Sequence, residues 1–165
     1  MLVVADSSPI HYLVLIHQSD LFRKLFGRVV IPEQVASELS HMNAPQSVQD
    51  FMAHRPDWFK VQSPRIIERI PAIDAGEEAA ICLAKEIEAD LLLIDDLDGR
   101  WAAKRFGLQI IGTLGVLELA SGRGLIDLPA VVKSLQATNM RLSDRLIEAV
   151  LGRDEKRGQS DGEAS

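Results

Sequence analysis

The sequence predicts an α/β protein built on one parallel sheet with helices packed against it. Short, uninterrupted apolar runs occur at residues 2–5, 29–31 and 91–94. Such runs are typical of strands that are buried on both faces of a parallel sheet. Segments with helical spacing of apolar residues lie between them, and strands that alternate with helices give a parallel sheet with right-handed crossovers.

The first strand, residues 2–5, leads into a helix. Ser8 is the predicted N-cap and Pro9 the first helical residue, because serine caps helices and proline is preorganised for their first turn. A second short helix follows, and Gly27 ends it.

The strand at residues 29–31 leads into a helix that Pro32 begins. A further helix is predicted around residues 48–52, and a short strand at residues 58–61.

The second half of the chain repeats this alternation. A strong helix begins at Asp74, and the strand at residues 91–94 follows it. The remaining predicted elements are a helix at 99–106, a strand at 108–111, and helices from Thr113, at 129–135 and at 143–151. We expect one domain over residues 1–151 and a disordered, charged tail over residues 152–165.

Composition limits the class of protein. The chain has 165 residues, of which 47% are apolar, so it is long enough for a substantial core and too apolar to be disordered. Its net charge of −6 argues against a large electropositive face for nucleic acid. A protein of this charge would need metal ions to offset phosphate repulsion if it acted on nucleic acid.

Cys82 is the single cysteine, which excludes an intramolecular disulfide. No apolar run is long enough to span a membrane, and no cationic segment followed by a long apolar stretch opens the sequence. We therefore expect a cytoplasmic protein that does not contact the membrane.

Three carboxylates, Asp95, Asp96 and Asp98, follow the apolar run at 91–94. Ligands bind at the carboxyl ends of strands in open parallel sheets. Clustered carboxylates repel one another unless a cation or a bound proton offsets the repulsion. These residues therefore indicate a divalent metal site, with a solvated turn that caps the next helix as the alternative.

Three further acids fit the same site. Asp6 follows the first strand, and it converges on Asp96 if the two strands are neighbours. Glu38 and Glu77 lie in helices that can lean over the same point. Hard carboxylate oxygens suit Mg²⁺ or Mn²⁺, which orient a water, polarise a phosphoryl oxygen and stabilise a leaving oxygen.

Each of these acids also has a purely structural interpretation. Asp6 can start a turn, and Glu38 can be a solvated helix residue. Asp74 and Glu77 have the spacing of a capping box, in which the aspartate caps the helix and the glutamate reaches back to its N–H. These alternatives stay open at the level of sequence.

The tandem aspartates are predicted to point in opposite directions, because successive strand residues face opposite sides. Asp96 and Asp98 would then face the site together. Asp95 would cap the following helix or pair with Lys104 or Arg105.

Four apolar residues, Leu21, Phe22, Leu25 and Phe26, cannot all lie on one buried stripe of a short helix. An exposed apolar patch usually marks an interface. This segment therefore predicts a homodimer, with another protein partner as the alternative.

The chemistry-bearing residues lie in four short motifs. In order, these are Asp6-Ser7-Ser8-Pro9, Ile31-Pro32-x-x-Val35-x-x-Glu38, Gly76-Glu77-x-Ala79-Ala80-Ile81 and Leu92-Leu93-Ile94-Asp95-Asp96-x-Asp98-Gly99-Arg100. Their order and spacing resemble those of a PIN domain, with most similarity to compact prokaryotic PIN proteins of the VapC toxin type.

The resemblance implies a three-layer α/β/α fold and a metal-dependent ribonuclease that uses Mg²⁺ or Mn²⁺. It also implies a toxin paired with a small antitoxin protein, and a homodimer. The residues to which it assigns catalysis are Asp6, Glu38, Glu77, Asp96 and Asp98, all but Glu38 being metal ligands as well. Ser7, Asp95 and Arg100 would support them.

The sequence departs from the family pattern at two places. Ile94-Asp95 stands where many relatives carry threonine or serine, and Gly99-Arg100 replaces a frequent aromatic residue. Arg100 would contact substrate phosphate or pair with the acids. Two other functions remain open: a metal- or RNA-binding PIN-like module without turnover, and a Mg²⁺-dependent phosphatase.

Overall fold

The computed structural model describes residues 1–164. The chain forms two compact units, of which the first comprises residues 1–113 and the second begins at Leu114. The first unit holds the whole sheet.

The sheet of the described chain has five parallel strands, in the order β3-β2-β1-β4-β5. In the register, Val4 of β1 lies opposite Val30 of β2 on one side and Leu92 of β4 on the other. The strands are β1 (Leu2–Ala5), β2 (Arg28–Ile31), β3 (Phe59–Val61), β4 (Leu91–Leu93) and β5 (Ile110–Ile111). The predicted α/β class with a parallel sheet is confirmed.

Six helices connect these strands: α1 (Ser7–Leu15), α2 (Asp20–Phe26), α3 (Glu33–Ser40), α4 (Gln46–Ala53), α5 (Ala75–Glu86) and α6 (Leu97–Arg105). The chain runs outward from β1 to β3, then returns past β1 to β4 and β5. Because right-handed crossovers are the rule, this reversal places α1–α4 on one face and α5 and α6 on the other. The first unit is therefore a three-layer α/β/α arrangement.

Alternate strand residues supply the two halves of the core. Val4, Val30 and Leu92 share a face and pack with Ile81 of α5 and Ala103 of α6. Their neighbours along the strands, such as Val3, Val29 and Leu93, are fully buried on the opposite face. Burial on both faces explains why the strands read as continuous apolar runs.

The second unit contains α7 (Thr113–Gly122) from Leu114 onward, α8 (Leu128–Gln136) and α9 (Asp144–Glu163). Arg153 of α9 forms an ion pair with Glu118 of α7 at 2.7 Å. The predicted disorder from Gly152 is wrong for residues 152–163, because helix α9 continues through them. Charged residues in this stretch, including Asp154 and Arg157, are paired at helical spacing at 3.3 Å. The domain end at residue 151 stays a prediction.

Within residues 1–164, no helix combines the length and the apolar character that crossing a bilayer requires.

Helix α2 does not present the apolar patch expected of it. Leu21, Phe22, Leu25 and Phe26 are all buried, with at most 7% of any side chain exposed. The helix contacts β2, and the Phe22 ring lies 6.4 Å from that of Trp58. The prediction of an exposed patch is wrong because this two-turn helix is covered on more than one side.

Candidate active site

The site lies where the order of strands reverses, between β1 and β4. In a parallel sheet this is the topological switch point, where the crossovers leave on opposite faces and open a crevice for ligands. Asp6 follows β1, and its backbone N–H donates to the Leu93 carbonyl of β4 at 2.9 Å. The carboxyl ends of the two strands thus bring Asp6 close to the tandem aspartates.

Asp6 is the most enclosed acid of this edge, with 4% of its surface exposed. It occupies the N-cap position of α1, where Ser8 had been predicted. Its Oδ1 atom is buried and has no hydrogen-bond partner in the part of the chain described. Burial, together with the charges of Glu77, Asp74 and Glu38, raises the pKa of Asp6 to about 8, although the Ser7 N–H opposes this.

Glu77 lies in the first turn of α5, with 6% of its surface exposed. It completes the predicted capping box: its N–H donates to Asp74 Oδ1 at 2.8 Å, and Asp74 N–H donates to Glu77 Oε2 at 3.2 Å. Burial first, and then the charges of Asp74, Asp96 and Glu38, raise the pKa of Glu77 to about 7. Glu77 therefore caps the helix and belongs to the acidic cluster at once.

Glu38 reaches this cluster from the opposite helical layer. Its carboxylate lies over Gly76 of α5, so closely that a Cβ atom there would collide with Glu38 Oε1. Burial raises the pKa of Glu38, a hydrogen bond from Ser7 opposes the rise, and the charge of Asp74 adds to it. Because Gly76 has no side chain, the Glu38 carboxylate of α3 can lie against the start of α5.

Asp96 is the N-cap of α6. Its Oδ2 accepts from the N–H groups of Asp98 at 3.1 Å and Gly99 at 3.2 Å. Asp98 is exposed in the first turn of the same helix. The charge of Asp96 is one of the smaller contributions to the raised pKa of Glu77.

Asp95 has a different environment from the one predicted. Its Oδ2 accepts from the hydroxyls of Ser8 at 2.8 Å and Thr113 at 2.6 Å, and its Oδ1 accepts from Thr113 N–H at 2.7 Å. The expectation that Asp95 caps α6 or pairs with Lys104 or Arg105 is therefore wrong. Strand β4 ends at Leu93, so strand alternation no longer governs residues 95–98.

The two remaining supporting residues lie close to the ends of β1 and β4. Ser7 begins α1 beside Asp6. Arg100 is half-buried and donates through Nη1 to the Ile94 carbonyl at 3.1 Å, at the end of β4.

Asp74 is the acid that sequence reasoning left out of the site. Its charge raises the pKa of Asp6, Glu38 and Glu77. In the sequence, the capping box alone accounts for an aspartate at position 74, so the pattern indicates no further role in an acidic site. Its position three residues before Glu77, on the same helical turn, was the available signal.

Comparison with known proteins decides the family. A family model described as PIN domain matches residues 2–156. The chain belongs to the PIN domain family. PIN domains are generally nucleases, so the fold is of a nuclease type.

A solved structure with the same fold is a PilT N-terminus domain protein from the hyperthermophilic archaeon Sulfolobus solfataricus P2. It is 19% identical in sequence, with a TM-score of 0.52, over 87% of this PIN domain protein and 100% of the archaeal chain. No curated protein sequence gives a significant match.

The acids of this PIN domain fit a hard divalent cation in their chemistry. The charges of five carboxylates act on one another at one edge of the sheet. The buried Asp6 Oδ1, an oxygen that can bind a metal ion, has no hydrogen-bond partner in the described chain. Within residues 1–164, however, no three His, Cys, Asp or Glu side chains are arranged so that they could hold a metal ion directly. Mg²⁺ keeps several waters and uses only one or two carboxylates directly, which is compatible with this looser arrangement.

Proposed function

We propose that this PIN domain is a Mg²⁺- or Mn²⁺-dependent endoribonuclease that hydrolyses RNA phosphodiester bonds. The observation that carries the proposal is the buried, unpartnered Oδ1 of Asp6 among neighbouring carboxylates. A buried carboxylate of this kind is costly unless it is protonated or neutralised by a cation. A divalent ion at the switch point would provide that charge.

Each acid would contribute according to how it is held. Asp6 is fixed by the end of β1 and is the expected direct ligand. One carboxylate oxygen of Glu77 accepts from the Asp74 N–H, and one of Asp96 accepts from the Asp98 N–H, so the other oxygen of each would be available to the ion. Glu38 and Asp98 would complete the surroundings, Glu38 being oriented by Ser7. A bound ion would orient water and stabilise charge on the phosphoryl and leaving oxygens.

The raised pKa of Glu77, about 7, belongs to the protein without an ion. A bound cation would lower this pKa and keep Glu77 ionised at neutral pH. The capping box occupies Oε2, so Oε1 is the atom expected to face the ion.

The experiment is to incubate the 165-residue protein with labelled single-stranded RNA and, separately, with a phosphate monoester, with and without Mn²⁺. We expect cleavage of RNA that requires the ion and is lost in Asp6→Asn. RNA binding without cleavage would instead favour an interaction module. Ion-dependent turnover of the monoester alone would favour a phosphatase.

The biological role is proposed from the family resemblance. We propose a cytoplasmic toxin that is inhibited by a small antitoxin protein and that forms a homodimer. Either partner would cover exposed apolar side chains. Large exposed apolar residues of the described chain include Met42, Ile66, Leu97 and Trp101.

The mass in light scattering at micromolar concentration tests the dimer, and a monomeric mass would contradict it. Loss of RNA cleavage on co-expression with a small protein encoded beside it would support the antitoxin.

A further inference from the structure

A groove of about 490 Å³ opens beside the acidic cluster. Ser7 and Glu38 belong to both the groove and the cluster. The groove is also lined by His11 and Tyr12 of α1 and by His41 and Asn43, which follow α3. The groove is therefore continuous with the candidate active site.

Two aromatic rings line the groove. His11 and Tyr12 are half-buried, and their ring centroids lie 4.7 Å apart at an interplanar angle of 65°. Burial lowers the pKa of His11, so its imidazole is neutral near pH 7. The pair thus provides ring surface without a positive charge.

Polar groups also line the groove. His41 Nδ1 accepts a hydrogen bond from the Asn43 N–H at 3.1 Å. This bond assigns Nδ1 as the acceptor, so a neutral His41 ring carries its proton on Nε2. The Asn43 amide supplies both a donor and an acceptor.

The lining chemistry matches a nucleobase better than a phosphate. No lysine or arginine is among the groove residues in the described chain, whereas phosphate recognition depends on cations. Unpaired bases stack on aromatic and imidazole rings and bind neutral donors and acceptors at their edges. We propose that this groove holds one unpaired base of an RNA strand whose neighbouring phosphate lies at the acidic cluster.

The inference rests on the proposed ribonuclease function for its choice of ligand, and it makes that function specific for single-stranded RNA. A base in a duplex is stacked and paired, so it cannot enter such a groove without being extruded. The groove would therefore select for an unpaired nucleotide beside the cleavage site.

The test measures binding apart from cleavage. The 165-residue protein carrying Asp6→Asn is titrated, in EDTA, into a fluorescent single-stranded RNA, and binding is followed by anisotropy. The same strand with one abasic nucleotide, placed in turn at each position, and the corresponding duplex are the comparison ligands. The second substitutions are His41→Ala and Tyr12→Leu, the latter of which keeps apolar bulk while removing the ring. His54→Ala, an exposed histidine that follows α4 and does not line the groove, is the matched control.

We expect about a 10-fold loss of affinity for the intact strand in His41→Ala and Tyr12→Leu, and none in His54→Ala. The abasic strand should bind as weakly to the parent as the intact strand binds to Tyr12→Leu, with no further loss when both changes are combined. His41 is exposed, so His41→Ala remains informative if Tyr12→Leu does not fold.

Equal affinity for intact, abasic and duplex RNA, or no binding at all, would overturn the base-binding groove. Cleavage by the unmodified protein is measured separately. Base-dependent binding without cleavage would leave the groove intact and reject the nuclease, and cleavage with base-independent binding would do the reverse.

Discussion

Two adjacent residues, Asp95 and Asp96, have separate tasks at the end of β4. Asp95 is held by Ser8 and by the backbone and hydroxyl of Thr113, so it ties the start of α1 to the last residue of the first unit. Asp96 caps α6 with one oxygen and acts electrostatically on Glu77. Asp95 therefore supports the structure through its hydrogen bonds, whereas the charge of its neighbour Asp96 acts on the acidic cluster.

This division predicts opposite results for two amide substitutions. Asp96→Asn should change stability by less than about 0.5 kcal/mol, because asparagine caps helices as well as aspartate does. It should nevertheless abolish ion-dependent RNA cleavage, because the charge is lost. Asp95→Asn should cost about 1–3 kcal/mol, since its amide nitrogen would replace an acceptor oxygen, and it should keep most activity per folded molecule. Denaturant melts and cleavage rates measure both; an inactive Asp95→Asn beside an active Asp96→Asn would exchange the roles.

Glu77 allows a similar separation within one residue. Glu77→Gln retains an oxygen that can complete the capping box with Asp74, but it removes the charge. We expect nearly unchanged stability without metal and strongly reduced cleavage. Glu78→Gln is the control, because Glu78 Oε2 accepts from the Ile70 N–H outside the cluster and glutamine can keep that bond. Equal losses of activity in both variants would argue against a specific role for Glu77.

At the scale of elements, the position of the Glu38 carboxylate of α3 against the first turn of α5 depends on Gly76. Gly76→Ala would force the Glu38 carboxylate aside. Alanine in the first turn of α5 favours the helix, and Glu38 is a flexible side chain, so stability should stay level or rise by up to about 1 kcal/mol. Mn²⁺ affinity and cleavage should fall.

Gly152→Ala in α9 is the matched control for this substitution. A Cβ atom at Gly152 meets nothing within 4 Å, so it should bring the gain in helix propensity alone. Calorimetric titration with Mn²⁺ compares the two variants. Unchanged ion affinity in Gly76→Ala would mean that Glu38 takes no part in binding.

The sequence predicts the bounds of individual strands and helices more accurately than it predicts the contacts between them. Strands β1, β2 and β3 begin and end within one residue of the prediction, because apolar runs and proline or glycine breaks are local signals. The capping box of α5 was visible for the same reason.

Long-range contacts were not accessible in this way. The cap of α6 depends on where β4 ends, and the burial of α2 depends on its packing against β2. The membership of Asp74 in the acidic cluster depends on how α5 meets the sheet edge. None of these is encoded in the spacing of nearby residues.

At the scale of the whole molecule, the acidic cluster should couple folding to a divalent ion. An ion that binds only the folded state stabilises it by an amount that grows with the logarithm of the ion concentration, about 2.7 kcal/mol at one hundred times the dissociation constant. We expect Mn²⁺ or Mg²⁺ to raise the melting temperature of the unmodified protein. Asp6→Asn should lose most of that rise, and an equal rise in the variant would place the ion elsewhere.

The same cluster should make the metal-free protein less stable as the pH increases. In the unfolded chain the carboxyls of Asp6 and Glu77 ionise near their ordinary pKa of about 4, whereas folding raises these pKa values to about 8 and about 7. Between about pH 4 and pH 8 the folded state therefore binds more protons than the unfolded state, and the free energy of unfolding falls as the pH rises. We expect the melting temperature in EDTA to drop on the order of 5 °C or more between pH 5 and pH 9.

Asp6→Asn should remove most of this slope above pH 7, because the group with the higher pKa is gone. Asp20→Asn is the control: Asp20 is fully exposed, and Arg23 and Lys24 lower its pKa, so its loss should leave the slope unchanged over this range. Saturating Mn²⁺ should also flatten the slope in the unmodified protein, because the ion favours the ionised carboxylates. Thermal melts of the three proteins from pH 5 to pH 9 measure these effects. A stability that rises with pH in EDTA, or an equal slope in Asp6→Asn, would show that Asp6 is not the buried acid that links folding to protonation.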